Sequence, residues 1–239
     1  MRYVQSLLDV VYPPVCAICD TPLAGRVGLC GCCWSSAHFI QGLCCETCGA
    51  PLPGESCRRP LCDECLATPR LWSAGRAAVA YSGTMRDFVL RLKHGDRLDL
   101  VAPAADWMSA ASRQIWPDDA VVVPVPLTWR RLVHRRYNQA ALLARALAKR
   151  RNARFAARAL VRVRAPAPSG ADRTARFAAL DGAIRPHPNI AAALLGRNVV
   201  IVDDVLVTGA TLTATTRAAF AAGAADVRIV VLARALQEA

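Results

Sequence analysis

Apolar residues recur along this chain in two rhythms. Nearly unbroken apolar runs in AAVAYSG (77–83), AVVVPVPLT (120–128), GRNVVIVDD (196–204) and DVRIVVLAR (226–234) predict strands buried on both faces. Between them the spacing changes to that of a helix. Met85, Phe88, Val89 and Leu92 fall on one side of a helix over Thr84–Lys93, an Ala/Leu-rich pattern spans Asn138–Arg151, and a third helix runs from about Ala210 to Ala222, closed by Gly223. RALVRVR (158–164) reads as a short edge strand and APAPSGADR (165–173) as a loop. Strands alternating with helices of this length imply an α/β fold, a mostly parallel sheet with helices on both faces. Ahead of it Val4, Leu7, Leu8 and Val11 have helical spacing, with Asp9 breaking the apolar run. We read this as a short amphipathic helix rather than a signal peptide. No stretch approaches the roughly 20 apolar residues of a membrane span, so the sequence is expected to be cytoplasmic.

Cysteine changes the picture at the front of the chain. All 11 cysteines of the 239 residues lie between Cys16 and Cys65. Four pairs have knuckle spacing: Cys16/Cys19, Cys30/Cys33, Cys45/Cys48 and Cys62/Cys65. Two such pairs can close a four-thiolate zinc site, so eight ligands predict two structural zincs. The sequential pairing needs the shortest loops. A cross-braced pairing, first with third and second with fourth, has the same spacing and stays open. Cys32, Cys44 and Cys57 are spare ligands. A chain segment this short buries little apolar surface, so metal supplies stability on the order of 10 kcal/mol per site. The stretch LATPRLWSAGR (66–76) reads as a linker. The expected organisation is residues 1–70 as a helix and double zinc ribbon and residues 71–239 as the α/β domain.

Net charge is +12. Its placement is uneven: no acidic residue falls between Asp119 and Asp172, where Arg130, Arg131, Arg135, Arg136, Arg145, Lys149, Arg150, Arg151, Arg154, Arg158, Arg162 and Arg164 crowd together. Such a field attracts polyanions, either nucleic acid or a phosphorylated small molecule.

Ligands of a parallel sheet bind outside the carboxyl ends of its strands. Two ends here carry chemistry. One is VPVPLTWRR (123–131), where the chain leaves the sheet and turns basic. The other is VVIVDDVLVTGATL (199–212). There the loop Val207 to Thr211 enters a helix, so the amides of Gly209, Ala210, Thr211 and Leu212 face outward with the helix dipole behind them, an anion cradle. Thr208 and Thr211 add hydroxyls, and Gly209 lets backbone approach the anion. Asp203 and Asp204 would repel a phosphate placed on them. They suit neighbouring sugar hydroxyls with Mg2+ nearby, so a sugar 5-phosphate satisfies both halves. The acidic strand end also has the look of a Walker-B strand, but the chain contains no G-x4-G-K-[ST].

The stretch VVIVDDVLVTGATL resembles the signature of type I phosphoribosyltransferases. With LKHGDR, VPVPLTWRRLVHRRYNQA and the cysteine module, the chain is similar to the ComF family of competence-associated, phosphoribosyltransferase-like proteins. The resemblance implies the type I phosphoribosyltransferase fold and binding of phosphoribosyl pyrophosphate with Mg2+. It makes Asp203 and Asp204 the ribose and metal-side acids and Val207, Thr208, Gly209, Ala210, Thr211 and Leu212 the phosphate loop. Pro124, Val125, Pro126 and Leu127 become the pyrophosphate-side loop, with Arg130, Arg135 and Arg136 in a covering segment. Lys93 and Asn138/Gln139 sit in family motifs. The chain departs from the family pattern at Val207, where a threonine is usual, and at RAPAPSGADR (164–173), where relatives tend to show Thr-x-x-Gln.

Two functions follow. One is phosphoribosyl transfer to an acceptor for which no recognition patch is legible. The other is a basic nucleic-acid-binding accessory protein of DNA uptake or recombination, gripping single-stranded DNA through residues 130–164; a plainer variant is a structural partner that docks on uptake proteins through the zinc module. Aromatic residues make up only 6% of the chain and are not interleaved with the arginines, a poor stacking platform.

Overall fold

A computed structural model of the chain describes residues 14–25, 28–55, 58–94, 97–129, 132–133, 136–164, 179–180 and 182–236. The amino-terminal helix expected over residues 4–11, Cys57, Arg130, Arg135 and most of the 164–173 stretch lie outside the described residues.

Five parallel strands form the central sheet. They are β1 (Ala74–Ala80), β2 (Val121–Pro124), β3 (Arg154–Phe155), β6 (Asn198–Leu206) and β7 (Asp226–Arg234), in the order β1-β7-β6-β2-β3. Strand alternation sends successive side chains to opposite faces. Val121, Val123, Val199, Ile201, Val227, Ile229 and Val231 enter one apolar cluster, while Val122, Val200, Val202, Val230 and Leu232 enter another. The continuous apolar runs in the sequence have this cause: both faces are covered.

On the second of these faces lie α3 (Gly83–His94), α4 (Val101–Ala111) and α5 (Gln139–Arg150). Met85, Phe88, Val89 and Leu92 of α3 are all fully buried, the stripe expected from their spacing. The first face is covered by α6 (Ala210–Ala221) and by the antiparallel pair β4 (Leu160–Arg162) and β5 (Ile184–Pro186). The RALVRVR stretch is thus a strand of this separate pair, and the edge of the main sheet is β3, which the pattern did not announce. The helix α4 and strand β5 also went unpredicted. The Ala-rich α4 carries its buried face on Ala104, Ala105 and Met108, a weak signal beside bulkier stripes.

The cysteine module packs directly on the sheet. Its backbone seals the outer edge of β1: Ile40 donates to the Ala78 carbonyl (3.0 Å), Ala80 donates to that of His38 (2.9 Å), and Gly75 donates to that of Glu46 (2.8 Å). Two short helices, α1 (Gly31–Ser35) and α2 (Asp63–Ala67), belong to this module. Gly49 has φ +70°, as a knuckle turn favours, and a Cβ there would meet the Ala77 amide nitrogen at 2.5 Å. The stretch read as a linker is anchored at its middle and runs into β1: Trp72 is 2% exposed and its indole N–H donates to the Thr47 carbonyl, while Leu66 and Leu71 stay exposed. No helix among the described residues is long and apolar enough to cross a membrane.

Candidate functional site

The eight knuckle cysteines assemble into two sets, Cys16/Cys19/Cys30/Cys33 and Cys45/Cys48/Cys62/Cys65, each with all its sulfurs within 4.8 Å of one another. The structure therefore selects the sequential pairing over the cross-braced one. Cys32 and Cys44 take no part in either set. Tetrahedral zinc with Zn–S near 2.3 Å separates its sulfurs by about 3.8 Å, and Cys19 and Cys30 lie at 3.5 Å, Cys48 and Cys62 at 3.6 Å. Backbone amides of Ile18 and Cys30 point at the Cys16 sulfur (3.5 and 3.4 Å), as they do toward thiolates. Crowding splits the thiols. The Thr21 hydroxyl and the neighbouring sulfurs hold Cys19 down at about 6, while burial pushes Cys33 up. Hydrogen bonding between the two likewise pulls Cys45 down and Cys48 up. The residues fit structural zinc, which when bound satisfies all four thiolates at once.

The second centre lies at the carboxyl ends of β2 and β6. A cleft of about 340 Å³ is lined by Lys93, Val125, Leu127, Arg162, Asp203, Asp204, Val207 and Thr211, with Tyr81, Asn138 and Gln139 among its other walls. Burial and the charge of Asp204 push the Asp203 carboxyl up to about 7, against its bond from the Asp204 amide (2.9 Å) and the nearby Lys93 and Arg162 cations. Asp204 is held differently, by an ion pair with Lys93 at 3.2 Å. Two adjacent acids thus have different surroundings: Asp204 is ion-paired with Lys93, and Asp203 is buried with its carboxyl pushed up.

Beside them the chain turns into α6. Gly209 caps this helix at φ +83°, and the Thr208 hydroxyl accepts from the Ala210 amide at 3.4 Å. An α-helix leaves its first-turn amides without partners inside the helix; of the predicted loop residues the 48% exposed Val207 and Thr211 line the cleft, while Thr208, Gly209, Ala210 and Leu212 are not among its walls. The Leu212 side chain, by contrast, is in the core, so only its backbone is available there. On the facing strand end, Val125 and Leu127 reach the cleft, while Pro124 and Pro126 alternate away into buried positions. Arg136 lies outside the lining, with φ +62°.

The Asn138/Gln139 pair works as scaffolding. Asn138 caps α5 by accepting from the Ala141 amide (3.3 Å) and donates to the Val125 carbonyl (3.0 Å). Gln139 donates to the Lys93 carbonyl (3.1 Å), and the Tyr137 hydroxyl donates to that of Leu92 (3.2 Å). Together they fix Lys93 and the β2 end relative to each other.

Three residues of this region carry no signal of their role in the sequence. Arg162 enters the cleft from β4, and only its place in the basic run pointed to it. The side chains of Arg70 and Arg234, 1% and 3% exposed, hold the loop before α6 from below. Arg70 donates to the Thr208 carbonyl (2.8 Å), and Arg234 donates to the Leu206 and Val207 carbonyls (3.2 and 2.9 Å). No spacing rule connects residue 70 with residue 208.

The basic run divides. Arg150 pairs with Asp106 at 2.5 Å, and Arg151 stacks over Trp116 (5.2 Å) and bonds the Ser109 carbonyl, both structural. Arg145, Lys149, Arg154, Arg158 and Arg164 are exposed.

Similarity to known proteins extends over both parts of the chain. Residues 7–66 match the double zinc ribbon domain, and residues 138–239 match the phosphoribosyl transferase domain. The chain is 30% identical to the DNA utilization protein YhgH of Escherichia coli O6:H1 over 234 residues, covering 94% of this chain and 98% of that protein. It is 28% identical to the competence protein ComFC of Bacillus subtilis over 222 residues, 84% of this chain and 87% of that one. Among solved structures it is similar to the allosteric regulatory enzyme of purine biosynthesis, at 16% identity and a TM-score of 0.39, over 60% of this chain and 30% of that one.

Proposed function

The chain belongs to the ComF family, and on that footing we propose that its cleft binds phosphoribosyl pyrophosphate, or a related ribose 5-phosphate, together with Mg2+. The observation that carries this reading is one cleft whose walls join Val207 and Thr211, on either side of the entry to α6, to the adjacent carboxylates Asp203 and Asp204. The cradle suits a dianionic phosphate, and Asp203 with Asp204 suits the ribose diol that lies beside it. Hard carboxylate oxygens also suit Mg2+, which when bound neutralises charge on the phosphates. Lys93 and Arg162 add fixed positive charge on the cleft walls. In a transfer reaction, charge develops as pyrophosphate leaves the ribose C1, and preorganised groups of this kind stabilise it. We place the protein in the cytoplasm, where such a ligand is made and used.

Calorimetry with phosphoribosyl pyrophosphate and Mg2+, on the native chain and on Asp203→Asn/Asp204→Asn, tests the reading. Heat of binding that disappears in the double variant is the expected outcome; no binding by the native chain would sink the proposal.

A second reading rests on a separate observation, the exposed Arg145, Lys149, Arg154, Arg158 and Arg164 beside names that tie relatives to DNA utilization and competence. It has the protein retain single-stranded DNA through these exposed cations, or meet uptake proteins through the zinc module, in service of DNA uptake. Retention that weakens steeply with salt and ignores sequence is its signature.

A further inference from the structure

We propose that Glu64 is a positioning residue of the phosphate loop, which makes the second cysteine set a working part of the ribose-phosphate site. This deepens the reading above and rests on it for the identity of the ligand.

Glu64 lies on α2, inside the knuckle between Cys62 and Cys65. Its carboxylate is largely buried and takes both arginines that hold the loop. One oxygen accepts from Arg70 at 2.7 Å, and the other pairs with Arg234. One further nitrogen of each guanidinium donates to backbone carbonyls, Arg70 Nη1 to Thr208 and Arg234 Nη1 to Leu206, Val207 and Ala235. Three consecutive carbonyls immediately before the helix cap are thereby tied down. A carbonyl held on one side of its peptide plane fixes where the next amide points. The amides that follow are those of Val207, Thr208 and Gly209, so the same bonds aim the start of the anion cradle.

The connection to the metal set is equally short. Arg70 Nε donates to the Cys65 sulfur at 3.5 Å, and a Cβ at Gly209 would meet Arg70 Nη1 at 2.7 Å. One guanidinium therefore touches a thiolate, the Glu64 carboxylate and the phosphate loop. Buried charges of this kind are retained where geometry matters, since two arginines and one carboxylate make a costly way to fill a core. Fixing the loop also lowers the ordering cost of ligand binding.

The test compares two ligands on Glu64→Gln and Glu64→Asp. Glutamine keeps the size and loses the charge; aspartate keeps the charge. Ribose 5-phosphate reports the loop, and Mg2+-pyrophosphate reports the opposite strand end at Val125 and Leu127. For Glu64→Gln, with both zincs retained by metal analysis, we expect the Kd for ribose 5-phosphate to rise about tenfold or more, with that for Mg2+-pyrophosphate unchanged. Glu64→Asp should recover part of the loss. Weakening of both ligands alike, or of neither, overturns the proposal. Hydrogen exchange of the Leu206–Leu212 amides decides it independently of any ligand. Faster exchange there than in β1 of Glu64→Gln supports it, and native exchange rates overturn it. A native chain that binds neither ligand would remove the functional reading above while leaving this second measurement decisive for the loop.

Discussion

The two cysteine sets share ligand type, knuckle spacing and sequential pairing, yet they sit on opposite faces of one sheet and do different work. The first leaves Cys19 exposed and rests on the face carrying α3 and α4. It docks through aromatic rings, with Phe39 tilted against Trp34 at 4.4 Å and edge-on to Trp107 at 5.2 Å, the latter on α4. The second buries Cys45, Cys48 and Cys65 in the same cluster as Trp72, Leu206, Ala210 and Leu212. Identical coordination chemistry thus serves as a surface staple in one place and as the floor of a candidate active site in the other. What separates them is the company of the sulfurs rather than the sulfurs themselves.

Removing one ligand from each set is the largest test of this contrast. Cys65→Ser empties a buried position of the core and is expected to abolish the cooperative thermal transition. Cys19→Ser should keep a transition and one zinc per chain, against two in the native protein. Equal losses of melting temperature would erase the distinction. At the strand end, Asp203→Asn/Asp204→Asn should lower affinity for phosphoribosyl pyrophosphate by about 100-fold, the worth of two charge-assisted hydrogen bonds. Calorimetry on Cys19→Ser should by comparison return near-native affinity.

The state of Asp203 gives a pH dependence with a definite sign. Its carboxyl titrates at about 7 in the folded chain and near 3.8 when unfolded. Between those values the folded state holds a proton that the unfolded state has released, so this group's contribution to stability falls as pH rises from about 4 to 7 and is flat above. Ligands that need the carboxylate bind more tightly over the upper part of that window. Asp203→Asn should stabilise the free protein at pH 8, seen as a higher melting temperature, and should flatten the pH profile of binding. A profile as steep in the variant as in the native chain would move the titration to another group.

Smaller effects are expected at the contact between the second set and the loop. Gly209→Ala places a Cβ at φ +83° against Arg70, costing about 1 kcal/mol from backbone strain, a melting-temperature shift of a few degrees. It should also weaken ribose 5-phosphate several-fold. Smallest is Arg158→Glu on the exposed basic face, which should reduce the salt slope of DNA retention by about one unit or more while leaving both zincs and the melting temperature in place.

Much of this architecture is legible in the order of residues alone. Strands β1, β2, β6 and β7 can be read because unbroken apolar runs bounded by turns need burial on both faces, and helices α3, α5 and α6 because their length, apolar spacing and boundary residues are local. Knuckle spacing announces eight thiolates for the same kind of reason, since two residues between cysteines is a local geometric requirement. The Asp-Asp strand end and its Gly-containing loop are visible because a strand end, a turn and a helix start are contiguous. Harder to see are α4, whose small alanines carry little pattern, and β3, two residues long at a sheet edge.

The sequence by itself determined the elements, the metal chemistry and the strand end that carries the acids, because each depends on residues within a few positions of one another. Only the tertiary structure decided that sequential knuckles pair, that LATPRLWSAGR is anchored by a buried Trp72, and that Glu64, Arg70 and Arg234 converge under the loop before α6. Those contacts join residues 6 to 170 positions apart, and burial together with charge pairing selects them only after the sheet has brought its edge, its loop and the cysteine module to one place.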